Sequence, residues 1–377
     1  MPNGRDRSLL AEMQVAGRLG RLRARLEEAS CDALLVTSLF NIRYLTGFSG
    51  STGMLLVGPG ETLFVSDGRY RDQSAEEFAR AGVEVSSQIG RPREQLAAVD
   101  HGLKGVGRLG VEAEHISWAA KQRLATTMSS ISSGGTKVVP TRGLVEEMRV
   151  VKDEGELARI ELAAGIADVA LAQVKEHLTE KVTEQEFALE LDFEMRRRGA
   201  DGVAFETIVA SGPNSALPHA RPSGRTIPPG DVVVVDFGAE VDGYRSDMTR
   251  MLCCGIVASP ELQDLLDAVL VAQRAGVRAV KPGARGGDVD AACRESLSTA
   301  GYGDAFVHGS GHGVGLEIHE APAVAAGGSD ILEAGAVVTV EPGAYLQGLG
   351  GVRIEDTLVV TQTGARALTK STKDTFC

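Results

Sequence analysis

Four acidic residues lie within or directly beside apolar runs in the second half of the sequence. They are Asp236, Asp247, Glu341 and Glu355. A lone ionised carboxylate in apolar surroundings is costly unless a positive group compensates for its charge. A neighbouring Arg or Lys would explain any one of these acids taken alone. Four acids in four apolar runs of one region are better explained by bound metal ions.

A Gly- and His-rich segment lies between these acids in the sequence. It reads VHGSGHGVGLEIHEAP and contains His308, His312 and His319. Carboxylates together with one imidazole suit hard to borderline ions such as Mn²⁺ or Co²⁺, whereas structural zinc favours cysteine. Two such ions about 3.5–4 Å apart can hold a hydroxide and polarise a carbonyl group. The residue types therefore indicate a pair of metal ions with hydrolytic chemistry.

Three other motifs fail on spacing. A dinucleotide-binding G-x-G-x-x-G would need glycine at 314 or 316, where the chain has Val314 and Leu316. The zinc motif H-E-x-x-H fails because Ala323 stands where the second histidine belongs. The stretch 134–137 lacks the Gly-Lys-Ser/Thr order of a phosphate-binding loop. His219, in the loop segment SGPNSALPHARPSG, is by itself more typical of a surface histidine.

A hairpin brings the first two acids together. The Asp242-Gly243 dipeptide is a strong signal for a two-residue turn. Pairing the flanking strands across that turn places Asp236 opposite Thr249. Asp247 then lies diagonally across from Asp236 on the same side of the sheet, so we expect both carboxylates to project together.

The elements that carry these residues follow a pattern of two helices and then strands, which occurs twice between residues 151 and 377. The first two helices cover 157–178 and a segment from the capping-box pair Thr183 and Glu186 to Gly199. The next two run from Ser259 to about Pro282 and from Asp288 to Gly301. The predicted strands are ETIVASG, DVVVVDFGAE, SDMTRMLCCG, AFVHGS, AVVTVEP and GVRIEDTLVV. This weak repeat predicts an α+β domain of two similar halves that share a sheet.

In the first part of the chain, short apolar runs alternate with helical patterns, which is typical of an α/β domain. Apolar runs at 31–37, 53–58, 61–67 and 108–114 are predicted strands. Helical patterns lie around 18–29, 72–81, 92–103 and 117–128. The polar, Gly-rich segment 129–137 closes this part, and we place the domain boundary near residue 150. The predicted domains are therefore 1–150 and 151–377.

Composition narrows the functional class. With 43% hydrophobic and 24% charged residues in 377, the chain is typical of an ordinary globular protein of two domains. A net charge of −12 argues against nucleic-acid and anionic-membrane partners. No stretch has the length of a signal-peptide core or a membrane span. The five cysteines are Cys31, Cys253, Cys254, Cys293 and Cys377. Their number is odd and no two form a C-x-x-C pair, so the sequence predicts neither a disulfide framework nor a zinc knuckle. This pattern fits a reducing cytoplasm.

Five segments, in order, resemble the pita-bread metallopeptidases: SGPNSALPH, VVVDFGAEVDGYRSDMTR, HGSGHGVGLEIHEAP, VEPGAY and GVRIEDTLVV. That family includes Xaa-Pro dipeptidase (prolidase), aminopeptidase P and, more distantly, methionine aminopeptidase. The likeness covers about 150–370. The earlier segments NIRYLTGFSGS and DGRY resemble the N-terminal domain of the proline-specific members. The implied fold is an α/β N-terminal domain followed by an α+β pita-bread catalytic domain of creatinase/aminopeptidase type.

The resemblance also implies roles for individual residues. The metal ligands would be Asp236, Asp247, His312, Glu341 and Glu355. They would hold two divalent ions, Mn²⁺ first, with Co²⁺ or Zn²⁺ as alternatives. Glu341 would shuttle a proton, while His219 and His319 would donate hydrogen bonds to the oxyanion and the peptide. The remaining substrate residues would be His308, Arg353 and Arg221. Arg353 would also orient carboxylates at the metal site, and Arg221 would be a clamp for a proline carboxylate.

The resulting hypothesis is a cytoplasmic, homodimeric peptidase that hydrolyses the amide bond between an N-terminal residue and proline. Its substrate would be a small peptide with proline second. A dipeptidase is favoured slightly over aminopeptidase P because the chain lacks an extra domain. The alternatives are a creatinase-like or ectoine-type hydrolase and a non-catalytic peptide-binding module. All five ligand positions are present, whereas the metal-free creatinase branch has lost that set.

Overall fold

The structure, a computed structural model, describes residues 7–131 and 135–375. Its backbone contacts divide the chain into Gln14–Arg149 and a second unit formed by Met1–Met13 with Val150–Cys377. The N-terminal segment is thus assigned to the second unit, although the sequence placed it in the first domain. Arg7 shows why, since its guanidinium donates hydrogen bonds to the Asp201 carboxylate at 2.8 Å and to the Gly199 carbonyl at 3.0 Å.

The first unit is built on one mixed sheet. In the described part of the chain its strands are β1 (Ala33–Val36), β2 (Met54–Val57), β3 (Thr62–Ser66), β4 (Ser86–Ile89), β5 (Arg108–Glu112) and β6 (Lys137–Thr141). They lie in the order β4-β3-β2-β1-β5-β6. The helices are α1 (Arg18–Glu28), α2 (Leu39–Thr46), α3 (Arg71–Ala81), α4 (Pro92–Gly102), α5 (Trp118–Ile131) and α6 (Glu146–Arg149), with a 3₁₀ turn at Gly68–Tyr70.

The four strands and four helices predicted in this unit are all present, and the elements that were missed are short or polar. Strand β4 has the sequence SSQI and largely exposed side chains, so it shows no apolar alternation. Helix α2 has only eight residues, and the Ser38 side chain caps it by accepting a hydrogen bond from the Asn41 amide. Of the Gly-rich segment 129–137, residues 132–134 lie outside the described residues.

The described residues of the second unit include four long helices, which pack as two pairs, α7 with α8 and α9 with α10. They are α7 (Glu154–Val174), α8 (Glu184–Arg197), α9 (Pro260–Ala279) and α10 (Gly286–Thr299). Shorter 3₁₀ turns cover Lys175–Glu180, Gly212–Ala216 and Gly303–Ala305. The capping box of Thr183 and Glu186 is present at the start of α8. Gly199, just after that helix, has φ +107°, in the region that favours glycine. No helix of the described residues has the length and apolar character needed to cross a membrane.

The strands of the second unit form several small sheets. Their bounds are β7 (Gly202–Val203), β8 (Ile208–Ser211), β9 (Val232–Phe237), β10 (Ala239–Val241), β11 (Tyr244–Arg245), β12 (Met248–Cys253), β13 (Gly311–Gly313), β14 (Glu320–Val324), β15 (Val337–Val340), β16 (Gly343–Leu346), β17 (Gly350–Arg353), β18 (Asp356–Val360) and β19 (Ala365–Ala367). Hydrogen bonds pair them in the orders β11-β10-β7, β12-β9-β8, β14-β13-β15-β18-β19 and β16-β17. The single shared sheet that the sequence predicted is therefore divided into separate ladders.

Most strand predictions hold, and the hairpin register is confirmed. Val241 pairs with Tyr244, and Asp236 pairs with Thr249. Two predictions need correction. The segment AFVHGS is not a strand, because its first residues close a 3₁₀ turn and the strand begins only at Gly311. The run GVRIEDTLVV is two strands, and Glu355 lies in the break between β17 and β18.

Candidate metal centre

The predicted metal ligands lie close together. Three of them, Asp247, His312 and Glu355, each have a side-chain ligand atom that lies within 4.8 Å of the ligand atoms of the other two. His312 Nε2 is also 3.2 Å from Glu341 Oε1 and 3.6 Å from Asp247 Oδ2. Asp236 lines the same cavity. Residues that are 119 positions apart in sequence, from 236 to 355, thus meet in one place.

Strand ends and breaks position the acids. Asp236 lies near the end of β9, and Asp247 directly precedes β12, its antiparallel partner. Glu341 directly follows β15, and Glu355 lies in the break before β18. At such positions a side chain can leave the sheet while the adjacent strand holds its backbone, so each carboxylate projects from a rigid support.

Glycine and threonine set the position of His312. A Cβ atom on Gly311 would lie 2.1 Å from the Thr339 carbonyl oxygen, so only glycine allows β13 to approach β15 this closely. The Thr339 hydroxyl accepts a hydrogen bond from the His312 amide at 3.0 Å and donates to Glu341 at 3.3 Å. The Nδ1 atom of His312 is 3.0 Å from the Gly313 carbonyl. A proton on Nδ1 therefore leaves Nε2 free to face the acids.

The acids repel one another. Burial raises the pKa of Asp247 well above its usual range, and the charges of Glu355, Asp236 and Glu341 raise it further. Burial likewise raises the pKa of Glu355, followed by the charges of Glu341 and Asp236. A raised pKa means that the ionised form of the carboxylate is disfavoured in these surroundings. A divalent cation among these oxygens would remove that cost.

Glu341 and His312 behave as a pair within this cluster. Burial opposes ionisation of Glu341, but its hydrogen bond with His312 and the positive charges of His312, Arg353 and His308 together outweigh burial and lower the Glu341 pKa to about 2. Burial also lowers the pKa of His312, yet the hydrogen bond and the charge of Glu341 outweigh it and raise the His312 pKa overall. Glu341 is therefore the acid of the cluster that stays ionised most readily.

Arg353 supplies positive charge beside the acids. Its guanidinium donates to Asp236 Oδ2 at 2.6 Å and to the Thr249 hydroxyl at 3.2 Å. Thr249 in turn donates to Glu355 Oε2 at 2.8 Å. The Arg353 side chain is only 4% exposed. One buried cation thus holds Asp236 directly and reaches Glu355 through the Thr249 hydroxyl.

Two oxygens of the cluster have no protein donor. Asp236 Oδ1 and Glu355 Oε1 are buried and accept no hydrogen bond from the described residues. Buried carboxylate oxygens are nearly always satisfied in folded proteins, so an unsatisfied pair indicates that a partner such as a cation binds here. The oxygen-rich donor set with one imidazole fits Mn²⁺ or a similar divalent ion. The residues present therefore fit the predicted metal pair.

The three histidines that are predicted to bind substrate, His219, His308 and His319, border a cavity of about 450 Å³ beside the cluster. His219 and His319 are exposed, and the His319 ring stacks edge-on against His312 with centroids 4.3 Å apart. Burial and the neighbouring His312 lower the pKa of His319. The cavity thus has two imidazoles close to the acids and open to an incoming ligand.

Tyr345 is a residue of this site to which the sequence assigned no role. Its hydroxyl is 2.9 Å from His308 Nε2 and accepts a hydrogen bond from Arg353 at 2.8 Å. His308 Nδ1 is 2.7 Å from the Gly309 carbonyl, so a proton there makes Nε2 the acceptor of the tyrosine proton. Burial lowers the pKa of His308, which is consistent with that neutral tautomer. The VEPGAY segment contained the signal, because it puts this tyrosine four residues after Glu341.

Arg221 lies at the cavity but not in a buried position. Its side chain is 80% exposed, and its guanidinium forms an ion pair with Glu206 at 3.1 Å. Arg221 is therefore paired at the surface in this structure, and its role as a clamp for a proline carboxylate stays a prediction. Its position two residues after His219 was the basis of the prediction, and that spacing does not determine whether a side chain is buried.

Comparison with known proteins identifies the family. The sequence profile of metallopeptidase family M24 matches residues 158–362, and the profile of the creatinase/prolidase N-terminal domain matches residues 18–151. The chain belongs to metallopeptidase family M24. The Xaa-Pro dipeptidase of Pyrococcus furiosus is 35% identical over 361 residues, which cover 95% of this chain and 99% of the relative.

Solved structures of proline-specific peptidases have the same fold as this chain. An Xaa-Pro dipeptidase from Bacillus anthracis superposes with a TM-score of 0.87 at 38% identity and covers 95% of this chain and 98% of its own. An X-Pro aminopeptidase from Thermotoga maritima superposes with a TM-score of 0.83 at 34% identity and covers 93% and 99%. The fold prediction is confirmed: a creatinase-type N-terminal domain precedes a pita-bread catalytic domain.

Proposed function

We propose that the chain is a metal-dependent hydrolase that cleaves the amide bond between an N-terminal residue and proline, with Xaa-Pro dipeptides as its preferred substrates. The main observation behind the proposal is that four acids and His312 meet beside an open cavity. Two buried oxygens of these acids, Asp236 Oδ1 and Glu355 Oε1, accept no hydrogen bond from the described residues. The preference for proline rests on the relatives, which carry the names Xaa-Pro dipeptidase and X-Pro aminopeptidase.

The ligands of the proposed site are Asp236, Asp247, His312, Glu341 and Glu355. They would hold two divalent ions, for which Mn²⁺ is the first choice and Co²⁺ or Zn²⁺ the alternatives. When bound, the ions would supply an activated water and polarise the scissile carbonyl. The unsatisfied oxygens of Asp236 and Glu355 support their place in this set.

Glu341 is proposed to move the proton. Its carboxylate lines the cavity and is ionised near neutral pH, so it can take up a proton from a water whose acidity a bound ion would raise. The same carboxylate can then deliver that proton to the leaving nitrogen. This delivery matters for proline substrates, because the scissile nitrogen is tertiary and carries no hydrogen of its own.

His219 and His319 are proposed to bind the substrate. A neutral imidazole has one N–H, and the lowered pKa of His319 favours that form. Each ring can donate a hydrogen bond to the oxyanion or to the peptide carbonyl. His308 and Arg353 lie in the cavity wall, where Tyr345 links them, and would orient the substrate and the Asp236 carboxylate.

A second candidate is an aminopeptidase P that acts on longer Xaa-Pro peptides. The exposure of Arg221 favours it, because a dipeptidase needs a positive group that recognises the free proline carboxylate. Arg221 can still serve that purpose if its ion pair with Glu206 opens. The relatives named as dipeptidases favour the first candidate.

One assay separates the candidates. Protein loaded with Mn²⁺ is offered an Xaa-Pro dipeptide, an Xaa-Pro-Xaa tripeptide, creatine and a Met-Ala peptide side by side, before and after chelation. We expect cleavage of the dipeptide first, loss of activity on chelation, and recovery with Mn²⁺ or Co²⁺ at about two ions per chain. Cleavage of tripeptides alone would favour aminopeptidase P. Creatine turnover, or undiminished activity after chelation, would refute the metallopeptidase assignment.

Three further points belong to the proposal. Within the described residues Cys31, Cys253, Cys254 and Cys293 form no disulfide, which supports a reducing, cytoplasmic location, and Cys377 lies outside those residues. The homodimer rests on the family resemblance alone. A domain boundary near residue 150 is supported by the division of backbone contacts after Arg149.

A further inference from the structure

Glu184 is a buried carboxylate outside the proposed metal centre. It is the first residue of α8 and is fully shielded from solvent. The hydrogen-bond donors to its two oxygens are uncharged serine and asparagine groups, and these bonds stabilise the buried carboxylate. The guanidinium of Arg225 lies one hydrogen bond further away, since it donates to the Ser211 hydroxyl at 3.1 Å. The identity of those donors shows which part of the chain depends on Glu184.

The donors come from the two ends of one loop. Glu184 Oε1 accepts hydrogen bonds from the Ser211 amide at 2.7 Å and the Ser211 hydroxyl at 2.8 Å. Oε2 accepts from the Ser223 amide at 3.0 Å and the Ser223 hydroxyl at 2.6 Å. The Asn214 amide group is 3.1 Å from both oxygens. One carboxylate therefore ties together two residues that are 12 positions apart.

The loop between these residues carries His219. Within the described residues no hydrogen bond holds the imidazole of His219, so the backbone of the loop determines where the ring lies. The side of the loop away from Glu184 is held separately. There the Gly351 amide donates to the Ser215 hydroxyl at 2.8 Å, and Arg353 donates to the Pro218 carbonyl at 3.1 Å.

We propose that Glu184 is a positioning residue for His219. By holding Ser211 and Ser223 on one carboxylate, it fixes both ends of the loop from which the substrate-binding imidazole projects. This inference rests on the proposed function, because the role of His219 belongs to it. Glu184 contacts none of the proposed metal ligands, so its loss affects turnover and substrate binding without removing metal.

Glu184→Gln tests the inference. The new side-chain amide turns an NH₂ group towards the donors of Ser211 or Ser223, so at least one loop end is released. We expect kcat/KM for an Xaa-Pro dipeptide to fall by roughly 10- to 100-fold, the scale of a small displacement in a catalytic site, with bound Mn²⁺ unchanged. The matched control is Glu190→Gln on the same helix, whose carboxylate pairs with His177 at 2.7 Å away from the loop, and it leaves kcat/KM unchanged.

A double-mutant cycle shows whether the effect passes through His219. If it does, Glu184→Gln adds less than about twofold to the loss already caused by His219→Ala. Full additivity of the two losses would overturn the inference, because Glu184 would then act on something other than that imidazole. A loss of bound Mn²⁺ in Glu184→Gln would overturn it as well.

Amide hydrogen exchange gives a readout that does not depend on activity. The Ser211 and Ser223 amides donate to different oxygens of Glu184, so at least one of them exchanges faster in Glu184→Gln than in Glu190→Gln. Unchanged exchange would overturn the positioning role, whereas an unmodified protein that ignores Xaa-Pro substrates would refute only the proposed function. If Glu184→Gln does not fold, Ser223→Ala removes a single donor from Oε2 and shows a smaller loss in the same direction, and an unaltered kcat/KM there would count against the inference.

Discussion

Replacing Arg353 with methionine tests how the acidic cluster is stabilised. The guanidinium donates to Asp236 at 2.6 Å, to the Tyr345 hydroxyl at 2.8 Å and to the Pro218 carbonyl at 3.1 Å. Methionine keeps much of the volume but removes the charge and every donor. Asp236 then stays half-buried beside three other acids without its ion-pair partner.

The expected cost follows from burial. Breaking a buried ion pair by removing one partner costs about 3–5 kcal/mol. In a unit of this size each kcal/mol lowers the melting temperature by about 2–4 °C, so Arg353→Met should lower Tm by roughly 6–20 °C in the metal-stripped protein. The loss should be smaller with Mn²⁺ bound, because the ions then compensate for the charge on Asp236.

Thermal unfolding of the stripped and Mn²⁺-loaded forms measures both values. Arg366→Met is the matched control, since its ion pair with Glu161 is about half exposed and such pairs contribute about 0–1 kcal/mol. That control should lower Tm by only a few degrees, and by the same amount with and without metal. An equal loss for Arg353→Met in both metal states would show that its packing matters rather than its charge. No loss in either state would refute the argument.

Three other outcomes follow from the arrangement of the site. Asp247→Ala should lower both the bound metal per chain and the rate, whereas His219→Ala should keep its metal and lower kcat/KM by roughly 10²- to 10³-fold. Elemental analysis that finds equal metal loss in the two variants would contradict this division between ligand and substrate residue. Replacing Cys253 and Cys254 with Ala should leave metal content intact, because Cys253 packs in the apolar core and neither cysteine lines the cavity beside the acids. A lost ion would count against the oxygen-and-histidine site. Arg221→Ala should change Xaa-Pro cleavage by less than about fivefold because its ion pair is exposed, and a tenfold loss would reinstate the carboxylate clamp.

The sequence predicted features that depend on local chemistry. The turn at Asp242-Gly243 determines the register of its hairpin, so the pairing of Asp236 with Thr249 followed from the sequence alone. The capping box at Thr183 was readable for the same reason, since both of its members lie within one helical turn. In each case the interacting groups are few residues apart or are related by a simple count across a turn.

Features that depend on distant contacts were not predictable in this way. The segment AFVHGS was expected to be a strand, yet its backbone bonds elsewhere: the Ser310 amide donates to the Asp290 carboxylate at 3.1 Å and the Ser310 carbonyl accepts from the Glu341 amide at 2.8 Å. The burial of Arg221 was open as well, because only the tertiary fold decides whether Glu206 or a buried wall lies beside it. Such partners leave no periodic pattern in the sequence.

The acids come from both halves of the internal repeat, so the proposed metal centre lies where the two halves meet. Asp247 belongs to the first half and Glu355 to the second, and the backbone already joins them: the Glu355 amide donates to the Thr249 carbonyl at 3.2 Å, and the Thr357 hydroxyl donates to the Asp247 carbonyl at 2.7 Å. These bonds hold the two acids together although their charges repel. Neither half alone has the full donor set, so a bound cation would stabilise the contact between the halves. The two halves must therefore be folded against each other before the centre can bind metal, which explains why its residues are spread across so long a stretch of sequence.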